Sequence, residues 1–349
     1  EQAFVPYGFD FRGAACEVAD GWKRFGDVDP RPCWMDARDF AHHVMGTSWV
    51  ERIEGETSQV IISTEEQAAG IYQQVSGLTP GMPYGFHTAM LTIFQSSATP
   101  IQDGTMFKKV GMDPTGGIDP NAQTVVWSEP EGMDKIWDTQ RRVSVMATSS
   151  TMTVFILVEA EDPGDWPYVN QSFLDSAILA RTATVPAVSP ETSLTPTFTV
   201  TWHPAEVPQD ATIAAYDVQW MDEADGQWVD WLTETQLTQA TFTGLWWHTY
   251  RFRARARQRY DNGAYLFSPY LPEGGTPTAV VGAKLAGRVR GNGPYAFGGA
   301  TVSIFGTPYT AVSGRDGRYR ILMPPLDGTQ TLTVSDPAWL APEPVYGVG

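Results

Sequence analysis

The side chains in this sequence best suited to recognition chemistry are aromatic, and they gather early. Trp22, Trp34, Trp49, Trp127, Trp137 and Trp166 all precede residue 187. An indole offers a flat apolar face and one N–H donor. A sugar ring offers a C–H face bordered by hydroxyls. Stacked rings flanked by Asn, Gln, Asp or His therefore suit a saccharide. Trp127 follows the polar loop GMDPTGGIDP, Trp137 has charged flanks in DKIWDTQ, and Trp49 is the third candidate. Gln73, Gln74 and His87, on strand-like segments, offer groups for hydroxyls. The other use of any one of these indoles is core packing.

Catalytic patterns are missing. There is no G-x-S-x-G, H-E-x-x-H, phosphate-binding loop or kinase set. His42 and His43 are adjacent, so they diverge on a strand or helix and cannot chelate one ion from one face. A glycosidase needs two carboxylates about 5–9.5 Å apart, which spacing along a chain does not reveal. The expectation is a non-enzymatic protein. Cys16 and Cys33 fit no metal motif. They form either one bridge, worth ~3 kcal/mol by loop closure, or two separate thiols. Asp113 and Asp119 bracket a Thr-Gly-Gly turn, which is either an oxygen-rich loop or a plain Asp-Pro turn.

Charge narrows the partners. The formal net charge is −17, with 12 Lys+Arg and 25 Asp+Glu in residues 1–187 against 11 and 15 in 188–349. Such a surface repels phosphate backbones, which argues against nucleic acid. No run of about 18 apolar residues would span a membrane as a helix. The chain opens EQAFVPYGF without a basic-then-apolar leader, as a trimmed secreted chain would. It stops at VYGVG, as a fragment of a larger protein with further domains would.

Short apolar runs punctuated by 33 Gly and 26 Pro predict an all-β protein. Predicted strands include Gln59–Ser63, Gly70–Val75, Tyr84–Phe94, Thr124–Trp127, Arg141–Ala147, Thr151–Glu159 and Ser172–Arg181. In Tyr84–Phe94, Tyr84, Phe86, Thr88, Met90 and Thr92 share one face, and His87, Ala89, Leu91 and Ile93 the other. Only Met35–His43 looks helical. TVPAVSPETSLTP reads as a linker. The expected domains are 1–185, 186–281 and 282–349. Within the second, Arg251, Arg253, Arg255, Arg257 and Arg259 alternate along one strand and face one way. They either pair with Asp217 and nearby acids or form a docking face for an anionic glycan or a neighbouring domain.

Three resemblances accompany these patterns. GFDFRG, AGIYQQVSGLTPGMPYGFHTAML and NQSFLDSAIL resemble the opening, central strand pair and closing strand of jelly-roll carbohydrate-binding modules. FTVTW with Trp202, and TGLWWHTYRFRARA with Leu245 and Tyr250, resemble a fibronectin type III domain and its tyrosine corner. That likeness implies that Trp202, Leu245 and Tyr250 are core. AGRVRG, GGATVSIFG and SGRDGRYRILMPPLDGTQTLTVSD, with Asp316, Gly317 and Tyr319, resemble a carboxypeptidase regulatory-like domain, a non-catalytic accessory. The implied fold is a jelly-roll β-sandwich followed by two smaller immunoglobulin-like or prealbumin-like sandwiches. The first resemblance also implies a structural calcium joining the first and last strands, with Asp10 and Asp175 at the matching positions. Asp10 stands where Glu is usual, and so has a shorter reach.

The expected function is an extracellular, non-catalytic fragment that binds a polysaccharide or other glycan through Trp127, Trp137, Trp49, Gln73 and His87. Two spacer domains would support it. The alternative is an adhesive surface scaffold acting through protein contacts.

Overall fold

The computed structural model describes residues 4–9, 15–26, 35–38, 41–44, 47–50, 53, 58–98, 100–165, 167–291, 296–335 and 344–348; within 4–17, 35–50 and 344–348 only the backbone is described. Asp10, Cys33, Trp34 and Trp166 lie outside these residues. So does any pairing of Cys16 with Cys33. The described residues contain strands, turns and bends and no helix, so the fold is all-β.

The first region packs two five-stranded sheets face to face. One runs Val126–Trp127, Met106–Asp113, Thr151–Ala160, Gln67–Ser76, Lys23–Gly26 from edge to edge. The other runs Arg142–Met146, Pro83–Ile93, Asn170–Arg181, Ser58–Ser63, Met35–Arg38. Alternation along Pro83–Ile93 decides the packing. Tyr84, Phe86 and Met90 point inward and meet Ile71, Val110, Met152, Val154 and Ile156. Each large apolar side chain so buried contributes about 1.5–3 kcal/mol. Leu91 and Ile93 point outward, yet they are buried too. With Val60 and Phe173 they form a second cluster, against which Trp137 and Ile62 pack.

The described residues of Met35–His43 are strand, not the expected helix. Met35–Arg38 and Ala41–Val44 are strands. Met35 lies opposite Ile61 on the sheet edge, and Ala41–Val44 pairs with Thr47–Val50. Inter-strand hydrogen bonds to neighbours distant in sequence outweigh a weak local preference.

Lys108 sits between the sheets and is fully buried. Its ammonium donates to the Met133 carbonyl at 2.7 Å and to Thr92 Oγ1 at 3.1 Å, and pairs with Glu131 at 2.6 Å. A buried cation is tolerable only with such complete partnering.

The stretch expected as a linker is part of the second sandwich. Ala183, Val185 and Ala187 are buried among Trp202, Val218, Phe252 and Val280. Ala187–Val188 joins Thr197–Trp202 and Gln239–Thr243 in one sheet. Thr192–Ser193 pairs with Leu271–Val280 at the edge of the other, which continues through Thr249–Tyr260 and Ala211–Asp222 to Trp228–Thr235. The prolines there suit short edge pairings rather than a free tether. Trp202 is wholly buried and donates from Nε1 to the Leu237 carbonyl at 2.7 Å. The Tyr250 hydroxyl accepts the Leu245 N–H at 2.8 Å. The Leu245 side chain itself is 63% exposed, so it is not core as expected. The corner uses its backbone N–H, which leaves the side chain free to face solvent.

In the last region, Ala283–Arg288 pairs with Arg318–Met323. Thr310–Val312, Thr301–Ile304, Gln330–Ser335 and Pro344–Val348 form the facing sheet. Val302, Ile304, Ile321, Met323 and Leu332 fill the space between.

Candidate functional site

Trp127 is placed by glycine. It lies directly opposite Gly111 on the neighbouring strand. A Cβ on Gly111 would come within 2.7 Å of the indole, so the bare backbone lets the ring lie flat across the sheet. The indole N–H donates to the Pro120 carbonyl at 3.3 Å. The Lys109 ammonium sits 5.3 Å from the ring centroid, a cation–π distance.

The loop before Trp127 is closed by Asp113. Its buried carboxylate accepts the Thr115 N–H at 2.8 Å, the Thr115 hydroxyl at 2.6 Å and the Thr124 hydroxyl at 2.8 Å. Both oxygens are thus engaged in holding the turn, which is the Asx-type role. Gln74 ties the same loop to the sheet by donating to the Gly116 carbonyl at 2.9 Å.

Trp127 ends a row of rings across the outer face of its sheet. Phe155 is 5.8 Å from Trp127, Tyr72 is 5.9 Å from Phe155, and Phe25 meets Phe155 edge-on at 5.7 Å. Phe25 is seated over Gly70 as Trp127 is over Gly111. Phe155 is wholly covered, whereas Trp127 and Phe25 are half-buried at the two ends. Sequence reasoning missed Phe25 and Tyr72. The available signal was a pair of mid-strand glycines, Gly70 and Gly111, inside otherwise apolar runs.

The other ligand candidates lie elsewhere. Trp137 packs on the outer face of the opposite sheet. His87 is on that sheet, nearly buried, with Nδ1 2.9 Å from the Arg141 carbonyl oxygen. Gln73 is half-buried on the inward face, beside Gly21. Trp49 stands opposite His42 in a hairpin whose side chains are not described. Trp137, His87 and Gln73 do not join Trp127.

Asp175 sits at a bulge where the following residue, Ser176, has φ of 52°. Its carboxylate accepts the Ile53 N–H at 2.6 Å and the Ser176 N–H at 2.8 Å. A cavity of about 70 Å³ beside it is bordered by Ser58, Gln59, Thr88 and Ser176. These are hard oxygen donors of the kind calcium takes. Among the described residues, no three His, Cys, Asp or Glu side chains converge.

The arginine strand resolves into pairing and stacking. Arg255 and Arg257 both grip Asp217, at 2.8 and 3.0 Å. Arg251 pairs with Glu223 at 2.7 Å, and Arg257 also pairs with Glu234. Burial pushes the Asp217 carboxyl up, but hydrogen bonds from Arg257, the Glu234 N–H and Arg255 outweigh it, so it is held below the usual range. Aromatic rings interleave with the guanidinium groups. Arg253 lies between Trp228 at 4.0 Å and Tyr270 at 4.8 Å, and Arg255 between Tyr270 and Phe267, both at 4.6 Å.

Arg142, from the first sandwich, enters the same stack over Phe267 at 4.4 Å and Tyr265 at 5.1 Å. Burial, with Arg257 and Arg255 nearby, pushes its guanidinium down to about 10, so it stays charged at neutral pH. Between the two sandwiches lies a cleft of about 550 Å³, lined by Trp127, Glu129 and Arg142 on one side and Arg253, Tyr270 and Glu273 on the other.

No family model and no curated protein matches the chain. Solved structures similar to it include the carbohydrate-binding module TmCBM61 in complex with β-1,4-galactotriose, at 12% identity and TM-score 0.29, covering 46% of this chain and 89% of that one. The adhesin domain of Epf from Streptococcus pyogenes is similar over 80% of this chain and 97% of that one, at 8% identity and TM-score 0.24. The glycoside hydrolase domain of Endo-D from Streptococcus pneumoniae R6 is similar over 71% of this chain but only 36% of its own length, at 10% identity and TM-score 0.29. Likenesses this distant name neither a family nor an activity for this chain.

Proposed function

We propose that this chain is a non-catalytic, extracellular carbohydrate-binding fragment of a larger bacterial protein. The first domain, about residues 1–185, is a jelly roll that holds the glycan. Residues 186–281 and 282–349, read as fibronectin type III and carboxypeptidase regulatory-like domains, carry and space it. The observation behind this reading is Trp127: a half-exposed indole, laid flat by Gly111 and fixed by a self-closed polar loop, at the lip of a cleft. That is a preorganised stacking surface, and preorganisation reduces the entropy lost on binding. A stacked ring is worth ~1–3 kcal/mol in comparable aromatic platforms. Trp127→Ala should therefore weaken glycan binding about ten-fold or more, with the first domain still folded. Titration of the wild-type chain against neutral and acidic glycans is the deciding measurement. If none binds below about millimolar, the reading is wrong.

The scaffold reading has one observation of its own. Arg142 and the arginine–aromatic stack tie two sandwiches together without a linker, as a rigid spacer requires. It predicts normal surface presentation and no glycan affinity in the same titration.

Structural calcium at Asp175, with Asp10 as a second ligand, belongs to the same proposal. Such an ion would pin the closing strand to the first. Chelator should then lower the melting temperature of the calcium-loaded protein, and added calcium should restore it. A melting temperature indifferent to both removes the ion.

A further inference from the structure

The cleft beside Trp127 carries a charge pattern that a neutral sugar does not need. Within it, Arg142 and Arg253 have no carboxylate within 4.0 Å among the described residues, unlike Arg251, Arg255 and Arg257. Arg142 spends Nε on the Gln140 carbonyl and Nη2 on the Gln140 side chain. Its Nη1 is buried without an acceptor. Arg253 uses Nε on Gln219 Oε1 at 2.8 Å, and its two terminal nitrogens have no hydrogen-bond partner among the described residues. The acids lining the cleft, Glu129 and Glu273, are exposed, where water screens them.

An unpaired guanidinium in a half-buried setting is costly unless an anion completes it. Both arginines are also held flat by rings, Arg253 by Trp228 and Tyr270, and Arg142 by Phe267 and Tyr265. The donor edge of Arg253 is therefore fixed rather than swinging freely, while Arg142, its nitrogens bonded to Gln140 or buried, contributes charge alone. A fixed planar fork matches a carboxylate in two-point contact. The indole of Trp127 faces the same space and would take the C–H face of the ring bearing that carboxylate.

We infer that this cleft binds a glycan bearing ring carboxylates, an acidic sugar whose carboxylate is met by the terminal nitrogens of Arg253, in the positive field of Arg142, while its ring stacks on Trp127. The inference rests on the carbohydrate-binding reading and adds the class of sugar. It also makes the second sandwich part of the site, because Arg253 belongs to it.

The test uses the whole chain on an array of uronate- and sialate-bearing oligosaccharides, each beside its counterpart with the carboxyl reduced to hydroxymethyl. Titrations of any glycan bound follow at 50 and 500 mM salt. The expected result is binding of acidic members at least ten-fold tighter than their reduced counterparts, weakening as salt rises. Arg253→Gln should abolish that preference with the Trp127 contribution retained. Equal binding of acidic and reduced pairs overturns the acidic-sugar inference and leaves the carbohydrate reading standing. Binding of neither overturns both. The wild-type comparison needs no variant, so the outcome stands even if Arg253→Gln fails to fold.

Discussion

The guanidinium of Arg142 lies 4.4 Å from the ring centroid of Phe267, and this contact joins two sandwiches. Around it, the Tyr260 hydroxyl donates to the Arg181 carbonyl. Ile178 and Ala180 pack onto Ala211, Tyr260 and Leu266. A joint of this kind couples the melting of its two sides. A double-mutant cycle of Arg142→Ala and Phe267→Leu, read by urea melts, should give a coupling of about 0.5–2 kcal/mol. A coupling of zero would mean that the stack is incidental.

Asp217 should be the most acid-sensitive element of the second sandwich. Its carboxyl is held below the ordinary value, so the folded state binds fewer protons than the unfolded state over that interval. The stability it gives is complete above the unfolded value of about 3.9 and is lost as pH falls through the lower, folded one. Asp217→Asn leaves Arg255 and Arg257 without their shared counter-ion. Breaking a fully buried pair costs about 3–5 kcal/mol; with both arginines partly exposed, about 2–3 kcal/mol is expected at pH 7. Chemical melts of variant and wild type should stay apart down to about 3.9 and converge only as pH falls through the lower, folded value. A gap that persisted there would show that packing, not charge, was lost.

Tyr250→Phe removes one hydroxyl and orphans the Leu245 N–H. A loss of about 1 kcal/mol is expected, confined to the second sandwich. The far-ultraviolet spectrum should stay unchanged, because the ring still fills its place beside Phe242 at 4.9 Å. No loss at all would indicate that water satisfies the freed amide.

Lys108→Met should destabilise the first sandwich by about 3 kcal/mol. It strands the Glu131 carboxylate beside an apolar side chain, while the Thr92 hydroxyl and the Met133 carbonyl keep only their bond to each other. Adding Glu131→Gln should recover part of that loss, since the leftover charge is then gone. Failure of the second change to recover anything would place the cost in packing against the Met133 loop instead.

Much of the strand pattern was legible, for a physical reason. Burial on one face writes alternation into the sequence, as in Thr249–Tyr260, where Phe252, Ala254 and Ala256 are buried and the arginines between them are not. What failed was what alternation does not encode. Met35–Arg38 owes its strand to Ile61 and its neighbours across the sheet. Leu245 was misplaced because the corner needs its amide and ignores its side chain. For the site, a tryptophan after a polar loop was readable at Trp127. The partners were not, because Arg253 and Tyr270 reach the cleft from another sandwich, and no spacing along the chain records that approach.

The glycine seats bind the two ring positions to their heredity differently. With a side chain at 111, the indole at 127 would have to tilt away from the sheet; one at 70 would strike the Ile156 carbonyl of the neighbouring strand as well as the phenyl at 25. The indole therefore cannot be transplanted onto a related sandwich by changing one residue. In a lineage of this protein, Gly111 and Trp127 should be kept or lost together, whereas Gly70 should be kept whatever stands at 25. A relative that has traded Gly111 for alanine has discarded its stacking surface even if a tryptophan remains at 127.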